Sequence, residues 1–243
     1  MNKWWTHSLP WFTLEEISLP FDLTRVKGLC FDIDGTLSDT DDAYVGRLNH
    51  RLKRLRFLFK HGETTRFSRG LVMATESPMN GLYHWLDRHS LDDEFARMFS
   101  KLAQLGKARI KTFWLMNGAL ELLLLVKERY PLTVVSARDS DTAGKFLTQF
   151  DLDKFFRAVI TSQTCAHTKP FPDPVIYAAE QMGLAPSDCV MIGDTTVDIL
   201  AGKRAGAQTI GLLCGFGTEG ELRKAGADLI VRDLEELKQV FLI

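Results

Sequence analysis

The sequence predicts an α/β fold: a doubly wound, Rossmann-like parallel sheet with a helical cap inserted after its first catalytic strand. Three observations predict it. Short apolar runs such as Leu132-Thr133-Val134-Val135 and Cys189-Val190-Met191-Ile192 are too uniformly hydrophobic for strands with one wet face. From Met116 onward such runs alternate with helix-like segments, the signature of β–α units stacked into a parallel sheet. At or near the carboxyl ends of several runs stand residues a packed core would not choose, namely carboxylates, a hydroxyl and a lysine, and in open α/β sheets that edge holds the site.

Residues 1–25 carry Trp4, Trp5, Trp11, Phe12 and Phe21 with Pro10 and Pro20, an aromatic density that suits an N-terminal extension packed on the core. The core proper is expected at residues 26–37 and 112–243. Its first strand begins near Val26 and runs into Asp32-Ile33-Asp34-Gly35-Thr36. If the extended geometry persists, Asp32 and Asp34 leave the strand on the same side, and Gly35 permits a sharp turn. Two like charges that close repel unless a cation lies between them, which points to Mg²⁺, a hard ion suited to oxygen ligands. A calcium loop is excluded, because it needs further oxygen ligands and a closing Glu between flanking helices.

Residues 38–111 read as the cap. Leu48, Leu52, Leu55 and Phe59, then Leu82, Trp85, Leu86, Phe95, Met98, Phe99 and Leu102 recur at three- and four-residue steps, as on amphipathic helices. Arg47, Arg51 and Arg54 on the first of these are read as a solvated face. The core resumes with a helix over 119–128, a strand over 132–136, a helix near 142–150, a strand over 158–161 and a helix after Asp173. A strand over 189–192, a helix over 197–205, strands over 208–212 and 229–231 and a helix over 234–241 complete it.

The candidate site residues follow from these strand ends. Ser136 closes an apolar strand, so its hydroxyl and the N–H groups of Ala137 and Arg138 can hold a phosphoryl oxygen. Lys169, in Lys169-Pro170-Phe171-Pro172-Asp173-Pro174, is a cation on a stiffened loop. Gly193-Asp194-Thr195-Thr196-Val197-Asp198 adds carboxylates at another strand end and in the first turn of the following helix.

In this order the four segments resemble motifs I to IV of the haloacid dehalogenase (HAD) superfamily of aspartate-nucleophile phosphohydrolases, and the likeness spans Val26 to Phe241. The cap between the first two motifs resembles the helical-cap subgroup that includes phosphoglycolate phosphatases and β-phosphoglucomutases. The resemblance implies that Asp32 is the nucleophile and that Asp34 protonates the leaving group and then activates water. It further implies Mg²⁺ on Asp32, the Asp34 backbone carbonyl and Asp194, with Ser136, Ala137 and Lys169 on the substrate phosphate. Asp198 then supports these groups rather than binding the ion itself. The function implied is a Mg²⁺-dependent phosphatase acting on a small phosphorylated metabolite through an aspartyl phosphate, similar to phosphoglycolate phosphatase. The alternatives are a β-phosphoglucomutase-like phosphosugar mutase and a noncatalytic binding or scaffold protein. Asp34 argues against the dehalogenase branch, which lacks that carboxylate, and Gly193 against the mutases, which typically carry Glu there.

A formal net charge of −1 over 243 residues gives no field to draw nucleic acid or an anionic membrane, so a small ligand is the expected partner, met by a monomer or homodimer. No apolar run reaches the roughly 20 residues of a membrane span. Cys30, Cys165, Cys189 and Cys214 are widely spaced and read as reduced thiols of a cytoplasmic protein, Cys30 as a small buried hydrophobe.

Overall fold

The computed structural model describes residues 21–39 and 113–242. The expected cap, apart from Ser38 and Asp39, lies outside them, as does the N-terminal extension before Phe21. Six strands form one parallel sheet: β1 (Gly28–Phe31), β2 (Leu132–Val135), β3 (Phe156–Ile160), β4 (Cys189–Gly193), β5 (Gln208–Leu212) and β6 (Leu229–Val231). Their order is β3-β2-β1-β4-β5-β6. The chain steps outward from β1 to β3, returns to β4 on the other side of β1, and steps outward again. The β1–β4 pair is therefore the point where the connections part, and a crevice opens above its carboxyl ends.

The helices are α1 (Ala119–Val126), α2 (Ser140–Gln149), α3 (Asp173–Met182), α4 (Thr196–Ala205), α5 (Glu219–Lys224) and α6 (Leu234–Phe241). Strand alternation decides which face each covers. Leu29 and Phe31 of β1 and Val190 and Ile192 of β4 pack with Leu122 of α1, Phe146 of α2 and Leu237 of α6. Cys30 and Met191, of opposite parity, pack with Val175 and Ala178 of α3 and Ala201 of α4. Both faces are thus covered, and the near-continuous hydrophobicity of the strands follows. Fully burying a side chain such as Phe31 or Leu29 contributes roughly 1.5–3 kcal/mol.

Caps fix the helix starts that face the crevice. Asp139 accepts the N–H of Thr142 at the start of α2 (2.9 Å), and Asp233 that of Glu236 at the start of α6 (2.8 Å). The tail end of the N-terminal extension is sewn to β5, since Asp22 N–H donates to Gln208 Oε1 (2.7 Å) and Gln208 Nε2 to Asp22 O (2.9 Å). Helix α5 was not among the expected elements. It is short and buries one leucine, Leu222, too little for periodicity to register, although its capping box of Thr218 and Glu221 is readable in the sequence. Among the described residues, no helix is long and apolar enough to cross a membrane.

Candidate active site

Beyond β1 the chain turns at once. The carbonyl of Ile33 accepts the N–H groups of Thr36 (3.2 Å), Leu37 (2.9 Å) and Ser38 (2.7 Å), and Gly35 takes φ +75°, a left-handed conformation that favours glycine. A Cβ at Gly35 would also lie 2.2 Å from Asp194 Oδ2, so glycine is required there twice over. The extended geometry assumed for Asp32 and Asp34 stops before Asp34, and each carboxylate meets a cationic side chain of its own. Lys169 Nζ donates to Asp32 Oδ1 at 2.7 Å, while Arg138 donates to Asp34 twice, Nη2 to Oδ1 at 2.7 Å and Nε to Oδ2 at 2.9 Å.

The carboxylates that do converge are Asp32, Asp194 and Asp198, all buried, each offering an oxygen within 4.8 Å of the others. Asp194, at the end of β4, is held from several sides. Phe216 N–H donates to its Oδ2 (2.8 Å), Gly217 N–H to its carbonyl (3.1 Å), and Thr36 Oγ1 lies 3.5 Å from its Oδ1. Asp198, in the first turn of α4, accepts Lys169 Nζ on Oδ1 (2.5 Å) and the Thr195 N–H (3.0 Å) and hydroxyl (2.6 Å) on Oδ2. Its carboxylate thus anchors Lys169 and caps the helix. Lys169 precedes a cis peptide bond to Pro170, and with both acids it forms a buried Asp32–Lys169–Asp198 chain.

Ser136 ends β2 with its N–H on Ile160 O (2.9 Å) and its hydroxyl buried. The N–H of Arg138 turns back onto Ser136 Oγ (3.2 Å), so it does not face a phosphoryl oxygen as expected. Ala137 is the exposed residue of this turn, and the Ser136 hydroxyl can still donate.

Burial dominates the electrostatics. It pushes the Asp32 carboxyl up to about 7 from an ordinary 3.8; the attraction of Lys169 opposes this, and Asp198 and Asp34 add to it. Burial, then the charges of Asp198 and Asp32, raise Asp194 well above the carboxylate range. Burial also opposes the charge on Lys169, yet the pull of Asp198 and Asp32 prevails and holds its pKa above that of an ordinary lysine. Three carboxylates and one ammonium within one buried cluster leave a formal excess of two negative charges, which a divalent cation with oxygen ligands would offset. Cys30 is not part of this chemistry. It is fully buried beside Cys189 and Thr133, and its thiol is held well above its usual pKa by its hydrogen bond with Cys189 and by burial.

The order of strands, the acids beyond β1 and β4 and the lysine between them match one family along most of the chain. The family model of the haloacid dehalogenase-like hydrolases matches residues 29–212. This chain belongs to that family. Several known proteins resemble it along most of their length. A Clostridium perfringens protein provisionally named pyrophosphatase PpaX is 30% identical over 188 residues, 77% of this chain and 84% of the relative. The phosphoglycolate phosphatase of Shigella boydii is 26% identical over 235 residues, 87% of this chain and 91% of the relative. The crystal structure of a hydrolase from Pseudomonas syringae superposes with a TM-score of 0.57 at 28% identity, covering 88% of this chain and 97% of that one.

Sequence reasoning assigned no role to two parts of this HAD site. One is the guanidinium of Arg138. The other is the loop after β5, Gly215-Phe216-Gly217, which wraps Asp194; a glycine pair directly after an apolar strand was the available signal.

Proposed function

We propose that this hydrolase is a Mg²⁺-dependent phosphatase that takes the phosphoryl group of a small phosphorylated metabolite onto Asp32 and delivers it to water. The observation that carries the reading is the Asp32 carboxylate at the β1 end, with the Lys169 ammonium 2.7 Å away and Asp194 and Asp198 converging beside it. Asp32, Asp194 and the Asp34 backbone carbonyl would hold the Mg²⁺, which, when bound, neutralises charge on the incoming dianion.

The chain's own groups account for the rest. Lys169 and the Ser136 hydroxyl offer donors to the phosphoryl oxygens, and Ala137 lines the same turn. An oxygen of Asp32 attacks phosphorus, the bond to the leaving oxygen breaks, and Asp34 gives that oxygen its proton. Asp34 then takes a proton from a water molecule that attacks the aspartyl phosphate, releasing inorganic phosphate and restoring Asp32. Asp198 touches no reacting atom in this scheme; it holds Lys169. The names of the relatives, a phosphoglycolate phosphatase and a pyrophosphatase, support a small, highly anionic substrate of the phosphoglycolate kind. A near-neutral net charge fits a diffusible metabolite met in the cytoplasm better than a polyanion.

The mutase alternative is disfavoured at Gly193. A Cβ there would lie 2.4 Å from both Cβ and Cγ of Asp198, so the Glu typical of the mutase pattern has no room while Asp198 holds Lys169. The test is phosphate release from an aryl phosphate with Mg²⁺ in H₂¹⁸O. One ¹⁸O in each phosphate is expected, and Asp32→Asn, folded as judged by circular dichroism, should lose activity by at least about 10³-fold because an amide cannot serve as nucleophile. A wild-type rate in Asp32→Asn, or phosphate transfer to a sugar hydroxyl in place of release, overturns the reading.

A further inference from the structure

We propose that Arg138 is the positioning residue of the proton-transfer step: its two-pronged grip fixes the plane of the Asp34 carboxylate relative to the leaving group and the attacking water. The proposal rests on the reading that Asp34 carries that proton.

Four features of the structure support it. The contact is bidentate and short, with Nη2 2.7 Å from Oδ1 and Nε 2.9 Å from Oδ2, a geometry that fixes orientation as well as charge. The Asp34 side chain is one-third exposed, so a group entering the crevice can reach it. Arg138 itself is immobilised at both ends. Its carbonyl accepts the N–H (2.9 Å) and hydroxyl (3.1 Å) of Ser162 beyond β3, and its N–H is on Ser136 Oγ beyond β2. Its guanidinium carbon lies 5.0 Å from the ring centre of Phe113 and 5.2 Å from that of Phe146, while Nη2 also donates to Ser38 Oγ at 3.3 Å. One residue thereby ties the loops beyond β1, β2 and β3 together.

The fourth feature is a defect. Among the described residues, Arg138 Nη1 stands as a buried side-chain polar atom with no hydrogen-bond partner. An arginine kept for stability alone would be expected to have all its donors met. Among the described residues Nη1 is left unmet while the Nε/Nη2 edge of the guanidinium is presented to Asp34.

If Arg138 acts through Asp34, its removal matters only while Asp34 is present. Arg138→Met should lower kcat by about 100-fold, the cost of misplacing a catalytic group by about an ångström, with KM changed less than about threefold. Arg138→Lys, which keeps the charge but loses the fork, should recover part of that loss. In the Asp34→Asn background, Arg138→Met should change the residual rate by less than about threefold. Additive losses, a KM effect with kcat intact, or a Lys variant no better than Met would overturn the proposal alone. Wild-type turnover in Asp34→Asn would instead overturn the reading on which it rests. Should Arg138→Met not fold, the Arg138 Nε–H resonance of the wild-type protein decides. It should exchange slowly and at least about tenfold faster in Asp34→Asn; rapid exchange in the wild type overturns the proposal.

Discussion

Asp32 and Asp194 show how burial resists negative charge. Burial and the neighbouring acids hold Asp32 and Asp194 above their unfolded pKa values, Asp32 at about 7 against 3.8. In the metal-free protein the folded state therefore binds more protons than the unfolded chain between those values. Stability is full below the unfolded pKa and is lost as pH rises toward the folded one. Each such group removes up to about 1.4 kcal/mol per pH unit across the window, which moves the melting midpoint of a protein this size by roughly 2–4 °C per kcal/mol. With chelator present, the midpoint should fall between pH 5 and pH 8. Asp194→Asn should make that slope shallower and raise the midpoint at pH 8, while Mg²⁺ should restore the wild-type protein and leave the variant unmoved. Scanning calorimetry with and without Mg²⁺ checks this, and a wild-type midpoint independent of pH in chelator would contradict the buried-charge account.

Among the elements, the loop after β5 does for Asp194 what Arg138 does for Asp34. A Cβ on Gly215 would lie 2.1 Å from Asp194 Oδ2, and one on Gly217 2.1 Å from the Asp194 carbonyl oxygen. The loop must therefore be bare for its backbone to lie against the acid and donate the Phe216 N–H. Gly215→Ala should shift Asp194 and weaken Mg²⁺ binding by about 10- to 100-fold, the usual consequence of disturbing a group that orients a metal ligand. Calorimetric titration with Mg²⁺ measures it, and unchanged affinity would mean that the carboxylate tolerates the displacement. This loop also marks where sequence reading ended. Each core strand and helix longer than six residues was legible, because alternation, uniform apolar runs and caps act within a few residues. Asp32, Ser136 and Asp194 were legible as candidates beyond strand ends, and Lys169 as a cation on a proline-stiffened loop, for the same reason. The Arg138 fork and the glycine contacts join segments about a hundred and about twenty residues apart, and no local pattern encodes which carboxylate a distant arginine or glycine will meet. Asp32 and Asp34 do not share one extended strand for a local reason: three N–H groups converge on the Ile33 carbonyl and end the strand geometry first.

At the scale of the whole molecule, the described core closes upon itself where the inserted segment leaves it. Ser38 bridges Leu115 in antiparallel fashion, Asp39 N–H donates to Trp114 O (2.9 Å) and Met116 N–H to Leu37 O (2.8 Å). The two ends of the segment proposed as the cap thus emerge side by side, next to Asp34 and Arg138. Closing so short a gap with a brief linker adds little loop entropy, while the described residues by themselves supply a six-stranded sheet with a hydrophobic layer on each face. Deleting residues 43–105 and joining the ends through a short Gly/Ser linker should therefore leave a core that unfolds cooperatively. That core should retain slow, Mg²⁺-dependent hydrolysis of an aryl phosphate, since Asp32, Asp34, Ser136, Lys169 and Asp194 all remain. Discrimination should not survive, because nothing would close over the leaving group to tell one small phosphate from another. The ratio of kcat/KM values across a panel of phosphorylated metabolites should shrink to within about tenfold. A truncated protein that keeps the parent's ranking would place substrate choice in the core, at the crevice lined by Arg138 and Ala137, and a core that cannot fold would show the insert to be part of the fold itself.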